Sequence, residues 1–258
     1  MSIKIVIFES FNDSILKLMP KLPILMYHGV SKNAADSKGL TISTANLEAQ
    51  FRYLKDNGYV SLHFSELQAL KTDENYPKKT VMITFDDVYV NQLELAYPLL
   101  QKYGLKASFF IPFQYVDGVD EWNTGKEKLM SIAQLKSMDE ATIELGLHSF
   151  AHKKYPELSL EEIDEDFEKC KNFIISNRLN VSNVLAYPYG KYPRKNPEQD
   201  AFFNQLVKHQ VAYGLRIGNR VNRFPFKDNY QVQRVDIKGE DSISKFKRKL
   251  MYGKSFFF

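Results

Sequence analysis

Two adjacent carboxylates, Asp86 and Asp87, close the short apolar run Val81-Met82-Ile83-Thr84-Phe85. Carboxylates at the end of a buried strand are costly without a partner, and the natural partners are a metal or a proton in transit. His148 and His152 follow a second apolar run, Ile143 to Leu147. One Asp and two His make a three-ligand set for a catalytic metal, with a position left open for water. The other Asp stays unspent beside it and is a candidate general base. The i, i+4 spacing of the histidines would put both imidazoles on one side of a helical turn. Plainer alternatives are a solvated or helix-capping Asp pair and two unrelated surface histidines. With only 5 His in the chain, a pair at a strand end carries weight. Tyr187-Pro188-Tyr189-Gly190 follows a third strand-like run, and its Pro and Gly fix a turn whose backbone N–H groups can face a site.

Strand-like and helix-like segments alternate around these residues. Pro23–His28, Val60–Leu62, Thr80–Phe85, Ala107–Ile111, Thr142–Leu147, Val184–Tyr187, Val211–Leu215 and Gln231–Ile237 read as strands. Helical spacing or caps mark Ser43–Asn57, Phe64–Leu70, Asn91–Tyr103, Ser131–Met138, Ser159–Asn177, Gln199–Gln210 and Ser242–Met251. Gln114–Lys128 is polar and reads as a loop over one face. Repeated strand–helix units without a glycine-rich phosphate loop predict an α/β fold, a (β/α) barrel, as one domain over residues 1–258. In such barrels the active site lies at the C-terminal ends of the strands, where all three candidate segments fall.

Composition narrows the function. The net charge of +4 is too weak to argue for nucleic acid. The single cysteine, Cys170, excludes an intrachain disulfide and a CxxC metal site. No run approaches the roughly 20 apolar residues of a membrane span. Met1 to Leu22 carries Lys4, Glu9, Asp13 and Lys17 and lacks the pattern of a cleaved signal. A cytoplasmic or membrane-peripheral enzyme is expected. The 19 Phe and 15 Tyr are mainly core material, although Tyr115, Trp122, Phe150 and Tyr189 are placed to offer faces to a sugar.

Together, Thr84-Phe85-Asp86-Asp87, the H-S-x-x-H of His148–His152 and the P-Y-G of Pro188–Gly190 resemble the polysaccharide deacetylases of carbohydrate esterase family 4, built on the NodB homology domain. Met26-Tyr27-His28-Gly29 is similar to the start of a subgroup acting on exported or capsular amino sugars. The likeness runs from about Pro23 to Gly190. It implies a distorted (β/α) barrel that removes acetyl groups, N-acetyl above all, from a carbohydrate. It also implies Asp86 as catalytic base, and a divalent metal, commonly zinc, on Asp87, His148 and His152. The Tyr189 backbone N–H would steady the oxyanion.

The chain departs from the family at three places. Ala186 stands where an Arg usually contacts the catalytic Asp. No late L-x-L-H follows Gly190 to supply the general acid, and no tryptophan motif lies before it, since Trp122 comes earlier. His28, ending the first strand at the same mouth, is the candidate acid. Arg234 and Asp236 are candidates for the missing support. Two other functions remain open from sequence: hydrolysis of a non-sugar amide on the same scaffold, and sugar binding without catalysis.

Overall fold

The computed structural model describes residues 19–70 and 76–254. The expectations for Met1–Leu22 up to residue 18, and for the chain end at 255–258, lie outside the described residues. Seven parallel strands close a barrel: β1 (Ile24–Tyr27), β2 (Thr80–Asp86), β3 (Ala107–Ile111), β4 (Ile143–Leu147), β5 (Val181–Ala186), β6 (Tyr213–Ile217) and β7 (Val232–Asp236). Closure is made by β1, which pairs with β2 on one side (Leu25 with Ile83) and β7 on the other (Val235 with Leu25). Val60–Ser61 adds two further residues of parallel pairing at the start of β2. The predicted barrel is therefore the observed one, with strand ends shifted by one to three residues.

Strand periodicity decides what lies inside. Ile24, Met82, Phe110, Val184, Leu215 and Val232 fill the interior. Their neighbours Leu25, Ile83, Phe85, Phe109 and Val235 face the helices outside. By the same alternation Thr84, Asp86, Glu144 and Arg234 belong to the inner set, and all are buried. Gly146 is needed where it stands, because a Cβ there would lie 2.5 Å from the Phe110 ring.

The covering helices are α1 (Thr44–Asp56), α2 (Phe64–Ala69), α3 (Tyr97–Tyr103), α4 (Ile132–Ser137), α5 (Leu160–Asn177), α6 (Glu198–Lys208) and α7 (Ile243–Tyr252). Ser43, Ser131, Ser159 and Ser242 each cap a helix by accepting a backbone N–H. The single helix predicted over Asn91–Tyr103 is in fact a π-helical turn, Gln92–Ala96, running into α3. Such turns shift the helix face locally and recur at functional sites. Here the turn directs Gln92 at the backbone under the site, as described below.

Glu144 plugs the end of the barrel away from the site. Its carboxylate accepts Phe64 N and Ser65 N at 2.9 Å each, and Ser108 Oγ at 2.9 Å. It therefore ties α2 to β3 and β4. Glu144→Ala strands those three donors and is expected to cost about 2 kcal/mol or more. Urea unfolding reads the cost; a loss under about 0.5 kcal/mol would show that water replaces the carboxylate.

Candidate active site

The mouth of the barrel gathers side chains from several strand ends. Asp86 is the last residue of β2 and points inward, while Asp87 leaves the strand with φ 78°. That left-handed turn lets two consecutive carboxylates face one centre, which an extended chain forbids. Val88 follows at φ 47°, a conformation rare for a β-branched residue. Strain of this kind persists only where surrounding structure enforces it.

His148 directly follows β4, and His152 is reached by a loop rather than the predicted helical turn. Residues 148–154 contain no helix, and Ser149 (φ 61°) and His152 (φ 53°) both adopt left-handed conformations. The i, i+4 spacing converges here by a tight loop. Asp166 on α5 holds that loop, its carboxylate accepting Phe150 N at 3.0 Å and Ala151 N at 3.4 Å. Burial raises the Asp166 carboxyl above its ordinary value, although these N–H donors pull it back.

Asp87, His148 and His152 each offer a ligand atom, all within 4.8 Å of one another and all buried. His148 Nε2 lies 3.6 Å from Asp87 Oδ1, and His152 Nε2 lies 3.4 Å from it. His148 Nδ1 donates to the Ala186 carbonyl at 2.7 Å, which fixes the tautomer and turns the Nε2 lone pair toward Asp87. Burial pushes the His148 imidazole down to about 4, so it is neutral at physiological pH. Asp87 Oδ1 is buried with no hydrogen-bond partner. Two imidazoles around an unsatisfied carboxylate oxygen are the donor set of a divalent metal, and these residues fit one.

Asp86 stands beside this triad with another partner. Arg234 on β7 grips both its oxygens, Nη1 to Oδ1 at 2.5 Å and Nη2 to Oδ2 at 2.8 Å. Arg234 also donates to Thr84 Oγ1 at 3.3 Å. Burial alone would raise the Asp86 carboxyl; the Arg234 charge, with His148 and His28, outweighs it and holds the group well below the usual range. Ala186 leaves the family's arginine position empty, and the guanidinium arrives from β7 instead. Asp236 does not join it: it pairs with Lys238 at 2.9 Å.

His28 Nε2 lies 3.6 Å from Asp86 Oδ2, at the end of β1. Tyr189 sits in the left-handed region (φ 57°, ψ 11°), and its ring meets His152 edge-on at 4.8 Å. Trp122 stacks on the other side of His152, centroids 4.3 Å apart at 27°, with Tyr115 4.7 Å behind it. The predicted polar loop carries this tryptophan because buried Asp120 accepts Lys126 N at 2.8 Å and Glu127 N at 2.9 Å, folding it inward. His28, Trp122 and Tyr189, with Asp86, Asp87, His148 and His152, line a cavity of about 350 Å³. All six sequence-predicted site residues, together with Arg234, thus come together at one mouth.

Sequence reasoning missed Asp166, Gln92 and the placement of Trp122. Gln92 is fully buried and donates to the carbonyls of His28 (3.0 Å) and Asp86 (2.6 Å), fixing both chain segments. Asp166 had a legible signal: an acid on the apolar stripe Ile163, Phe167, Cys170 of α5.

The parallel barrel carries three side chains that could hold a metal and a second carboxylate at its mouth, and comparison with known proteins gives its family. A profile of the polysaccharide deacetylase family matches residues 73–203, just over half of the chain, and the protein belongs to that family. It is 30% identical to YxkH of Bacillus subtilis, named for the same family, over 173 residues; these are 67% of this chain and 58% of YxkH. It is 28% identical over 212 residues to a poly-beta-1,6-N-acetyl-D-glucosamine N-deacetylase of Staphylococcus aureus, covering 79% of this chain and 70% of that one. The fold matches the Streptococcus pyogenes deacetylase PplD solved with acetate, with a TM-score of 0.74 at 22% identity, covering 90% of this chain and 99% of PplD. IcaB from Ammonifex degensii gives 0.71 at 21% identity, covering 90% and 96%.

Arg234→Ala would leave the Asp86 charge buried and alone, and is expected to cost about 3–5 kcal/mol. Asp86→Leu with Arg234→Met, which removes both charges, should recover most of that. Urea unfolding of the two variants separates them; equal losses would mean that the pairing is not what stabilises the mouth.

Proposed function

We propose that this protein removes the acetyl group from an N-acetylated amino sugar by metal-assisted hydrolysis. The observation that carries this is the pairing of the Asp87–His148–His152 triad with Asp86, a second, ionised carboxylate, across one cavity. The names of the staphylococcal relatives support N-acetylglucosamine as the sugar unit. The exposed face of Tyr189 and the indole of Trp122 suit a pyranose ring.

Asp87, His148 and His152 would hold the ion, and two imidazoles with one carboxylate are a donor set that catalytic zinc takes. A bound divalent ion would polarise the acetyl carbonyl and acidify water, which lets a base as weak as Asp86 take its proton. The chain supplies the rest. Arg234 keeps Asp86 ionised and fixes its plane, leaving Oδ2 facing the histidines. Asp86 accepts the proton of the attacking water as the new C–O bond forms. The Tyr189 backbone N–H donates to the carbonyl oxygen as it gains charge. The C–N bond then breaks, and His28, beside Asp86 Oδ2, gives its proton to the departing amine. Acetate and a free amino sugar are the products. Trp122 and Tyr189 brace His152 from two sides and keep the cavity narrow, which suits an acetyl group.

The first test is acetate release from N-acetylglucosamine oligomers by metal-stripped protein with Zn²⁺, Co²⁺ or Ni²⁺ restored. Restored metal should restore release, and Asp86→Asn should lower kcat by about 10²–10⁴-fold with metal still bound. No release from any N-acetylated sugar by the metal-loaded protein would sink the proposal. His28→Asn separates the acid from the ligands. It should lower kcat by about 10²-fold with KM and metal content unchanged. An unchanged kcat would remove His28 from the role.

A further inference from the structure

A second, larger cavity of about 730 Å³ opens on the same end of the barrel, beside the site. Its wall begins three residues after His152, at Tyr155, and two residues after Tyr189, at Lys191. The groove and the acetyl cavity are thus bounded by the same two chain segments. Nothing in the proposed hydrolysis uses it.

The lining is aliphatic. Pro156, Leu158, Leu160, Pro193 and Pro197 form its walls, and Leu160 is 45% exposed at the first turn of α5. The rings beneath, Tyr155, Tyr192 and Phe202, are at most 3% exposed and present no face to a ligand. Sugar subsites use open aromatic faces, whereas a wall of leucine and proline suits a hydrocarbon chain. Lys191, Arg194 and Lys195 stand exposed on the lip. Among the described residues no carboxylate lies within salt-bridge distance of them, and Glu198 is the only acid in the lining. Cations without a carboxylate partner, of which Arg194 lies 5.6 Å over the Tyr192 ring, complement an anionic head beside an aliphatic tail.

We propose that the groove seats the tail, and its basic lip the phosphate, of a lipid phosphate to which the acetylated sugar is linked. The inference rests on the deacetylase reading, and it places the sugar itself in the neighbouring cavity. An acidic glycan would satisfy the cations but leave the aliphatic walls without a partner.

The test titrates the full chain by calorimetry with farnesyl monophosphate as probe, and with farnesol, inorganic phosphate and an oligogalacturonate as controls. Farnesyl phosphate should bind saturably and the controls at least about tenfold more weakly. Leu160→Glu and Arg194→Glu should each weaken the probe by about tenfold or more. Both should leave acetate release from soluble N-acetylglucosamine oligomers unchanged. Absence of saturable probe binding, equal binding by both variants, or oligogalacturonate binding as tight as the probe would overturn the proposal. In the same protein, farnesyl-phosphoryl N-acetylglucosamine should show a KM about tenfold or more below that of the soluble sugar, a gap that closes in the variants. If wild type binds the probe yet releases acetate from neither substrate, the deacetylase reading fails and the groove assignment stands.

Discussion

Asp86 and Arg234 meet inside a barrel, out of reach of water, and neither can be left there alone. Their pairing fixes much of what surrounds them. Arg234 must point inward from β7, so β7 must lie in a register that brings it level with the end of β2, and β1 sits between the two strands as the bridge. Thr84, two residues earlier on the same inner face, takes up Arg234 Nη1 and donates to the Leu25 carbonyl across β1. The charge pair is therefore tied into strand closure. An ion pair of this kind is poor value as stabilisation compared with packed apolar groups. Its presence is better understood through what it does to Asp86, which stays ionised although desolvation favours the neutral acid.

The adjacent carboxylate has the opposite circumstances. Asp87 has no guanidinium; its Oδ1 faces two imidazoles and lacks a hydrogen-bond donor. Two chemically identical side chains, one peptide bond apart, thus acquire different surroundings, one gripped by a guanidinium and one left facing two imidazoles, which suits them to different tasks. The division depends on the turn after β2. An extended Asp87 would face the outer helices, and only φ near 78° swings it back over the mouth. Val88 and the loop from Ser149 to His152 carry further left-handed residues. Backbone strain is concentrated around the ligand triad, and Asp166 and Gln92, both bonded to backbone there, help enforce it.

What was legible in the sequence follows from which forces are local. The alternation of strands and helices, and the fall of three motifs at strand ends, are written in short-range apolar patterning. The barrel could be read from it, and the candidate site residues from those motifs and the family resemblance they carry. The i, i+4 histidines show the limit: the spacing suggested a helical turn, but spacing does not encode φ, and the chain reached the same convergence by a loop. Trp122 was legible as a ring in a polar loop, but not its packing against His152. That segment is folded inward by Asp120, a carboxylate satisfied by backbone N–H groups several residues ahead, which no hydrophobic period reveals. Gln92 gave no signal at all, since a glutamine in a helical stretch is ordinary until a π-helical turn rotates it inward.

The absent family arginine shows how function constrains position less than it constrains charge. What Asp86 needs is a bidentate cation, and the inner face of any neighbouring strand can supply one at the right height. Ala186 on β5 is too short, but β6 brings Ile217 level with Arg234 on β7, at the level of the mouth. The same reasoning covers His28. The end of β1, next to β2 in the closed barrel, sets His28 Nε2 3.6 Å from Asp86 Oδ2, as near as a group on any late strand could come. A closed barrel makes its first and last strands equivalent neighbours of the site. A group missing from one position in the chain can then be replaced from the other end of it without disturbing the geometry that the chemistry requires.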